Sequence, residues 1–187
     1  SIPLTESDAI TGSPWAQQIN GIQALVPMPG GLVVLTGDGA WQLSGANNAA
    51  LTPIDQQATP QAYNGCDDRI MPLVINFDIL YVQSKGSIVR DISYNFFSNI
   101  WTGADKTVLS SHLFNYHSIQ SWAYAEEPYK VIWAVRDDGI MLSYTYLKEQ
   151  NISAWARHDT NGLIYNVISI TELPVDAVYA IVKRYIV

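Results

Sequence analysis

The sequence predicts an all-β fold, in the form of a partial β-propeller of about four blade-like antiparallel meanders. An apolar run that leads into a glycine-containing turn occurs at residues 32–39, 79–86 and 131–139, and a fourth apolar run occupies residues 177–182. Successive runs begin about 46 to 52 residues apart, which is close to the spacing of propeller blades. No window of a dozen residues shows a helical period that competes with this β pattern.

The first repeat unit covers residues 22–63. It is predicted to contain strands at residues 22–26, 32–36, 40–44 and 58–63. The two central strands form a hairpin through Asp38-Gly39, because glycine accepts the positive φ that tight hairpin turns require. Short connections join consecutive strands, so the unit is predicted to be an antiparallel meander.

Three further units follow the same pattern. The second unit, residues 70–114, has predicted strands at residues 70–76, 79–83, 87–94 and 106–114. The third unit, residues 119–158, has predicted strands at residues 119–125, 131–136, 140–147 and 153–158. The fourth unit, residues 165–187, has two predicted strands, at residues 165–170 and 177–182. Each complete unit thus contains three or four strands, a number typical of propeller blades, and a β-sandwich is the alternative architecture.

The domain organisation that follows has two parts. Residues 1–21 are rich in Ser, Thr, Gly and Pro without a sustained period, which predicts an arm or edge segment. Residues 22–187 form the propeller-like β domain. The chain does not begin with Met and stops within an apolar run, so we expect it to be a segment of a longer protein.

Composition makes several function classes unfavourable. The chain has 10 Lys and Arg against 17 Asp and Glu, a net charge of −7, and no basic run. Specific nucleic-acid binding and adhesion to anionic membranes need clustered cations, so neither is expected. No apolar stretch approaches the ~20 residues of a membrane helix, so membrane insertion is not expected. Cys66, the one cysteine, is expected to be a small buried hydrophobe and not a reactive thiol.

Candidate catalytic and metal-binding residues are few. The three histidines, His112, His117 and His158, lack the spacing of zinc ligands. A serine hydrolase of the G-x-S-x-G type is not indicated, because that motif does not occur. The sequence therefore predicts no catalytic residue, no metal site, no cofactor and no enzymatic activity.

Two alternatives concern sugars. Paired acids suggest a glycoside hydrolase, which needs two carboxylates about 5 to 10 Å apart. The adjacent pairs are Asp67-Asp68, Glu126-Glu127 and Asp137-Asp138. All are predicted to lie in turns, where acids usually cap backbone groups. Large aromatic residues would instead suit a carbohydrate-binding module that recognises host surface glycans, or they pack between sheets. These residues are Trp101, Trp122, Trp133 and Trp155.

Several segments resemble a phage-encoded family that is found in short-tailed phages and in prophages and is often called a phage tail protein. The segments are residues 61–66, 80–83, 89–94, 105–114, 126–128, 131–139 and 155–158. They occur in the expected order, and the resemblance covers most of the chain from Leu32 to Lys183.

The resemblance implies a virion structural protein similar to the tail nozzle, or tail tubular, proteins of podoviruses. In that family a propeller-like domain lies beside other β domains, and copies assemble as a ring beneath the portal and adaptor. The expected partners are other tail subunits, in a ring-forming homo-oligomer of the full-length protein. The expected location is the virion, after synthesis in the bacterial cytoplasm. Arg90, Arg136 and Arg157 are predicted to make hydrogen bonds between blades or to contact a neighbouring subunit.

Overall fold

The computed structural model describes residues 21–45, 51–53, 55–95, 97 and 100–184. It confirms the all-β fold class, because strands account for 59% of the described residues and helices for 6%, in four antiparallel sheets. The described helices are two short 3₁₀ helices, at Val108–Leu113 and Lys148–Gln150. Neither is long and apolar enough to span a membrane. Apart from Gly21, the predicted arm at residues 1–21 lies outside the described residues.

The first sheet is the predicted four-stranded meander. Its strands are β1 (Ile22–Met28), β2 (Gly31–Thr36), β3 (Ala40–Ser44) and β4 (Gln57–Ala62), in consecutive order. β1 runs two residues further than predicted and includes Pro27, which lies opposite Leu32. Proline is tolerated there because β1 is an edge strand of its sheet.

The turn between β2 and β3 requires glycine for a reason other than the predicted one. The expectation of a positive φ is wrong at Gly39, although Gly86 and Gly139 have φ values of 81° and 80°. At Gly39 the constraint is space, because a Cβ would lie 2.4 Å from the carbonyl oxygen of Ala62. Thr36 closes this turn, since its Oγ1 accepts the Gly39 N–H at 3.0 Å.

The second sheet differs from the prediction in its last strand. Its strands are β5 (Leu73–Ile75), β6 (Asp78–Val82), β7 (Val89–Asn95) and β8 (Ile100–Thr102). The strand predicted at residues 106–114 is wrong, because most of that segment is the 3₁₀ helix. The Asp105 carboxylate accepts the Thr107 N–H at 2.7 Å and its hydroxyl at 2.6 Å. This local turn starts the helix where the apolar composition had suggested a strand.

The third sheet follows the prediction to within one residue at every strand end. Its strands are β9 (Ile119–Ala125), β10 (Val131–Arg136), β11 (Met141–Leu147) and β12 (Ile152–His158). The fourth sheet is a hairpin of β13 (Leu163–Glu172) and β14 (Val175–Lys183), both longer than predicted. These two are the strands of the fourth sheet in the described part of the chain.

The chain divides into two compact units. The first comprises Ser1–Ser84 and Asp91–Ala104, and the second comprises Lys85–Arg90 and Asp105–Val187. In the first unit, apolar residues of the first sheet pack on the second sheet around Leu35, Tyr81 and Trp101. All five residues of β6 are buried, so this strand is covered on both faces.

In the second unit, the two faces of the third sheet are covered by different elements. One face presents Trp133, Val135 and Met141, which pack against Ile164, Val167 and Val182 of the β13–β14 hairpin. The other face presents Tyr144 and Trp155, whose rings stack with centroids 4.3 Å apart. Phe114, which follows the 3₁₀ helix, meets Trp155 edge-on at 4.8 Å. The hairpin and the 3₁₀ segment therefore lie on opposite sides of the third sheet, because neighbouring strand residues point to opposite faces.

One backbone contact recurs along the chain. In the first unit, the Cys66 N–H donates to the Thr36 carbonyl at 2.8 Å, next to the β2–β3 turn. In the second unit, the Ile119 N–H donates to Gly86 and the Ile164 N–H to Gly139, both at 2.9 Å. In each case the segment that enters one sheet is held by the hairpin turn of the preceding sheet. The repeat seen in the sequence is thus also a repeat of hydrogen bonding.

Candidate functional site

A group of polar and ionisable side chains surrounds the turn after β10. We call it the turn cluster, and it comprises His117, Ser118, Arg136, Asp137 and Asp138. Arg136 is the last residue of β10 and the two aspartates form the turn, whereas His117 and Ser118 directly precede β9. Because β9 pairs with β10 and Ile119 lies opposite Arg136, the strand ladder brings the two segments together.

Asp137 joins the two segments. Its carboxylate bonds His117 Nδ1 at 2.9 Å and accepts the Ser118 N–H at 3.1 Å and the Ser118 hydroxyl at 3.2 Å. Partial burial acts to raise the pKa of Asp137, but the hydrogen bonds from Ser118 and His117 outweigh it and hold this pKa below its ordinary value. The carboxylate is therefore ionised at neutral pH.

Asp138 is paired with a buried guanidinium. Arg136 Nε donates to Asp138 at 3.0 Å, a second guanidinium nitrogen bonds the other carboxylate oxygen, and a third donates to the carbonyl of Leu113. The hydrogen bonds that Asp138 accepts from Arg136 lower the pKa of Asp138, and they outweigh partial burial, which acts to raise it. The prediction of a structural hydrogen-bonding role therefore fits Arg136, whose side chain is 7% exposed.

The donor atoms of His117, Asp137 and Asp138 lie within 4.8 Å of one another, so the residue types and spacing are those of a metal site. The charges and hydrogen bonds around these residues disfavour metal binding. The Arg136 guanidinium already neutralises Asp138, and a divalent cation would have to displace it. The Asp137 carboxylate likewise already accepts hydrogen bonds from Ser118 and bonds His117. The arrangement is best suited to fixing the turn against the start of β9.

Cys66 and its neighbours form a second buried group. Burial, followed by the charges of Asp67 and Asp68, raises the pKa of the Cys66 thiol to about 12. Cys66 is 2% exposed, which confirms that it is a buried hydrophobe. Asp67 is also buried, which acts to raise its pKa, but its hydrogen bonds with Arg69 lower the pKa overall. Neither group is a free nucleophile or acid.

The acid pairs of the second unit lie far apart. Glu126-Glu127 precedes β10 and Asp137-Asp138 follows it, and β10 has six residues. At ~3.3 Å per residue the pairs are separated by ~20 Å, about twice the largest separation that a glycosidase uses. The structure thus does not bring these predicted carboxylates together around one sugar.

The tryptophans take part in packing. None of the five described tryptophans is exposed; they are Trp41, Trp101, Trp122, Trp133 and Trp155. Trp155 also donates its Nε1–H to the carbonyl of Lys106 at 2.9 Å. None of the described tryptophans therefore presents a fully exposed ring to a sugar.

One pair with catalytic residue types was not foreseen from the sequence. Ser143 Oγ lies 2.7 Å from His158 Nε2, on the face of the third sheet that also carries Trp133. A serine nucleophile also needs a group that orients its histidine. Within the described ranges no carboxylate bonds His158, since the nearby Asp159 pairs with Arg157. The pair therefore lacks the third member of a triad.

Large apolar side chains are exposed at two places in the second unit. Leu109 and Tyr116, around the 3₁₀ helix, are 92% and 102% exposed. On the β13–β14 hairpin, six large apolar side chains are roughly half exposed or more: Tyr165, Ile168, Ile170, Leu173, Tyr179 and Ile181. Apart from Tyr116 and Leu173, sequence periodicity assigned these residues to strands, but it did not distinguish a covered face from an exposed one.

Comparison with protein-family models and with curated proteins found no match to this chain.

Proposed function

We propose that this chain is a non-enzymatic structural component of a phage or prophage tail and contributes to a tail nozzle or tube through protein–protein contacts. The observation that carries the proposal is which side chains are bonded within the chain and which are exposed to solvent. The ionisable groups that resemble catalytic or metal-binding sets are engaged in internal bonds, whereas large apolar side chains are exposed on rigid elements. Exposed apolar patches of this kind are typical of surfaces that bind other proteins.

The propeller architecture is part of this proposal. Three consecutive four-stranded meanders, the further hairpin and the recurring turn-to-strand hydrogen bond support blades of one repeating kind. Blades of a propeller bury their faces against neighbouring blades, as the first two sheets do in the first unit. A repeating rigid array would present its loops to neighbouring subunits.

The tail assignment rests on the sequence resemblance described above. It gives the expected partners, which are other tail subunits in a ring-forming homo-oligomer, and the expected location, which is the virion. An excess of acidic residues is compatible with a DNA conduit, because like charge discourages a tight hold on passing phosphates.

The proposal is tested by mass spectrometry of purified virions of the phage or induced prophage that encodes the chain. We expect its peptides in the tail fraction, and portal, terminase and tail genes beside its gene. Absence from intact virions, together with a gene neighbourhood that lacks these genes, would refute the tail assignment.

A carbohydrate-binding module remains a second candidate, because aromatic side chains are exposed in turns. Tyr63 is 82% exposed, Phe77 69% and Tyr129 76%. Exposed rings can stack on sugars. A glycan array decides this candidate: a binder whose signal disappears in a variant with these three residues changed to serine would support it, and an array without binders would remove it.

A further inference from the structure

We infer that Asn161 is a site of spontaneous deamidation in the folded protein, through a cyclic imide that it forms with Gly162. The sequence contains the Asn-Gly dipeptide three times, at residues 20–21, 64–65 and 161–162. Asn20 lies outside the described residues, so the structure compares the other two dipeptides. The inference assigns a modification site and does not rest on the tail assignment.

The reaction is intramolecular and needs only water as a co-reactant. The Gly162 backbone nitrogen loses its proton to a base in solution and attacks Cγ of Asn161. The N–Cγ bond forms, the Cγ–Nδ2 bond breaks, and ammonia leaves with a proton from solvent. Water then opens the imide, giving aspartate by cleavage at Cγ or isoaspartate by cleavage at the backbone carbonyl carbon. Glycine favours the attack because it has no Cβ to hinder the approach.

Asn161 lies in the connection between β12 and β13, outside both strands. It is exposed to solvent. Among the described residues, one backbone hydrogen bond holds this dipeptide: the Gly162 N–H donates to the Thr160 carbonyl at 2.8 Å. That bond joins residues only two apart, so local opening of the connection releases the attacking nitrogen without disturbing either strand.

Close packing at the glycine does not separate the two dipeptides. A Cβ on Gly65 would lie 1.8 Å from the Gly37 carbonyl oxygen, and a Cβ on Gly162 would lie 2.4 Å from the Lys183 carbonyl oxygen. Both positions therefore require glycine. The dipeptides differ instead in burial, since Gly65 is buried and Gly162 is half-buried, and in the hydrogen bonds that must open before the attack.

Three hydrogen bonds to distant parts of the first unit hold the segment around Asn64 and Gly65. They join the Tyr81 hydroxyl to the Asn64 carbonyl at 3.2 Å, the Ser84 N–H to the Gly65 carbonyl at 3.0 Å, and the Cys66 N–H to the Thr36 carbonyl at 2.8 Å. The Gly65 nitrogen cannot swing towards the Asn64 side chain while these bonds persist. The fold therefore protects Asn64 and leaves Asn161 reactive.

The difference in hydrogen bonding sets the expected ratio of the two rates. Each average hydrogen bond that must open lowers the population of the reactive conformation roughly fivefold. Asn64 is held by two more such bonds than Asn161, so Asn161 should deamidate roughly 30-fold faster in the folded protein. In the unfolded chain both asparagines precede a glycine without these bonds, so the two rates should become similar.

The products alter the start of the β13–β14 hairpin. Aspartate adds a negative charge next to Thr160, whose hydroxyl accepts a hydrogen bond from Arg184 at 3.4 Å. Isoaspartate also lengthens the backbone by one atom, just before the Ile164 N–H that donates to the Gly139 carbonyl at 2.9 Å. The modification therefore changes both charge and backbone length where the hairpin joins the third sheet.

Peptide mapping of the 187-residue chain tests the inference. The protein is held at mildly alkaline pH over a time series, and circular dichroism checks that it stays folded. Proteolysis at mildly acidic pH and tandem mass spectrometry then measure conversion of the side-chain amide to a carboxylate at Asn20, Asn64 and Asn161 separately. Asn64 is the internal control, and a parallel incubation in urea gives the rates without the fold. Asn161→Gln checks the site, because glutamine would have to form a larger ring.

In the folded protein we expect Asn161 to convert roughly 30-fold faster than Asn64, and in urea we expect similar rates. The peptide that contains residue 161 should not gain mass in Asn161→Gln. Equal rates in the folded protein, or faster conversion of Asn64, would overturn the inference. So would a ratio that persists in urea, since the difference would then arise from neighbouring residues and not from the fold. A mass gain in the same peptide of Asn161→Gln would place the modification at another amide.

Discussion

Replacing Arg136 with methionine should destabilise the second unit substantially, because this side chain combines burial with three hydrogen-bonding roles. It is 7% exposed, and it bonds both oxygens of Asp138 and the Leu113 carbonyl. Methionine fills much of the same volume without the donors. The substitution therefore leaves a carboxylate without its cation and a backbone carbonyl without its donor.

The size of the loss in unfolding free energy depends on how well water can solvate the groups that lose their Arg136 partner. Removing one partner of a fully buried ion pair costs about 3–5 kcal/mol. Asp138 is 28% exposed, so water can solvate part of its charge and the cost at this pair is smaller. The unmet carbonyl of Leu113 adds about 1 kcal/mol. We expect the free energy of unfolding to fall by about 2–3 kcal/mol for Arg136→Met.

Arg157→Met is the matched control, because Arg157 also pairs with an aspartate two residues further along the chain. Here the arginine side chain is 51% exposed and Asp159 is 66% exposed. Exposed pairs contribute about 0–1 kcal/mol. Urea unfolding followed by circular dichroism measures both variants, with separate fits if the two units unfold separately. Equal losses of stability in Arg136→Met and Arg157→Met would refute the reasoning from burial.

Three further predictions concern the stability and accessibility of individual side chains. Trp155→Phe should lower the free energy of unfolding by about 1 kcal/mol, because it removes the hydrogen bond to the Lys106 carbonyl; an unchanged urea midpoint would contradict this. Hydrogen bonds from the Glu127 N–H, Thr171 and the Glu126 N–H lower the pKa of Asp176. The stabilisation of the folded protein by the ionised Asp176 carboxylate is therefore complete above the ordinary carboxylate pKa of about 4. This stabilisation is lost as pH falls through the lowered pKa. Asp176→Asn should accordingly flatten the decline of the urea midpoint between about pH 5 and pH 2, and an unaltered decline would count against this role. Cys66, buried and with a pKa of about 12, should react with a thiol reagent at pH 8 only after unfolding; rapid labelling of the native protein would show that the thiol is accessible.

The strands of the third sheet could be predicted from sequence because local pattern and tertiary environment agree there. In β11 the residues alternate between half-buried and buried from Met141 to Leu147, the period of a strand with one better-covered face. In the second sheet, the local sequence pattern and the tertiary environment do not agree. β8 has three residues, too few for a period, and it is fixed by distant contacts. The Trp101 ring lies in the core, and the Trp101 backbone N–H donates to the side-chain oxygen of Gln61 in β4.

The turn cluster shows why the candidate site was only partly predictable. Arg136 and Asp138 are two residues apart, so their pairing was within reach of local reasoning. His117 and Asp137 are twenty residues apart, and only the pairing of β9 with β10 brings them within 2.9 Å. Spacing rules for metal ligands on helices have no counterpart for such a contact. Which apolar strand faces remain exposed likewise depends on the elements that pack against them. A single sequence does not specify those elements.

Electron microscopy of the purified protein tests the central claim most directly, because that claim is that the protein functions by assembling with copies of itself. At high protein concentration the account predicts closed rings. Fields of isolated monomers under the same conditions would contradict it.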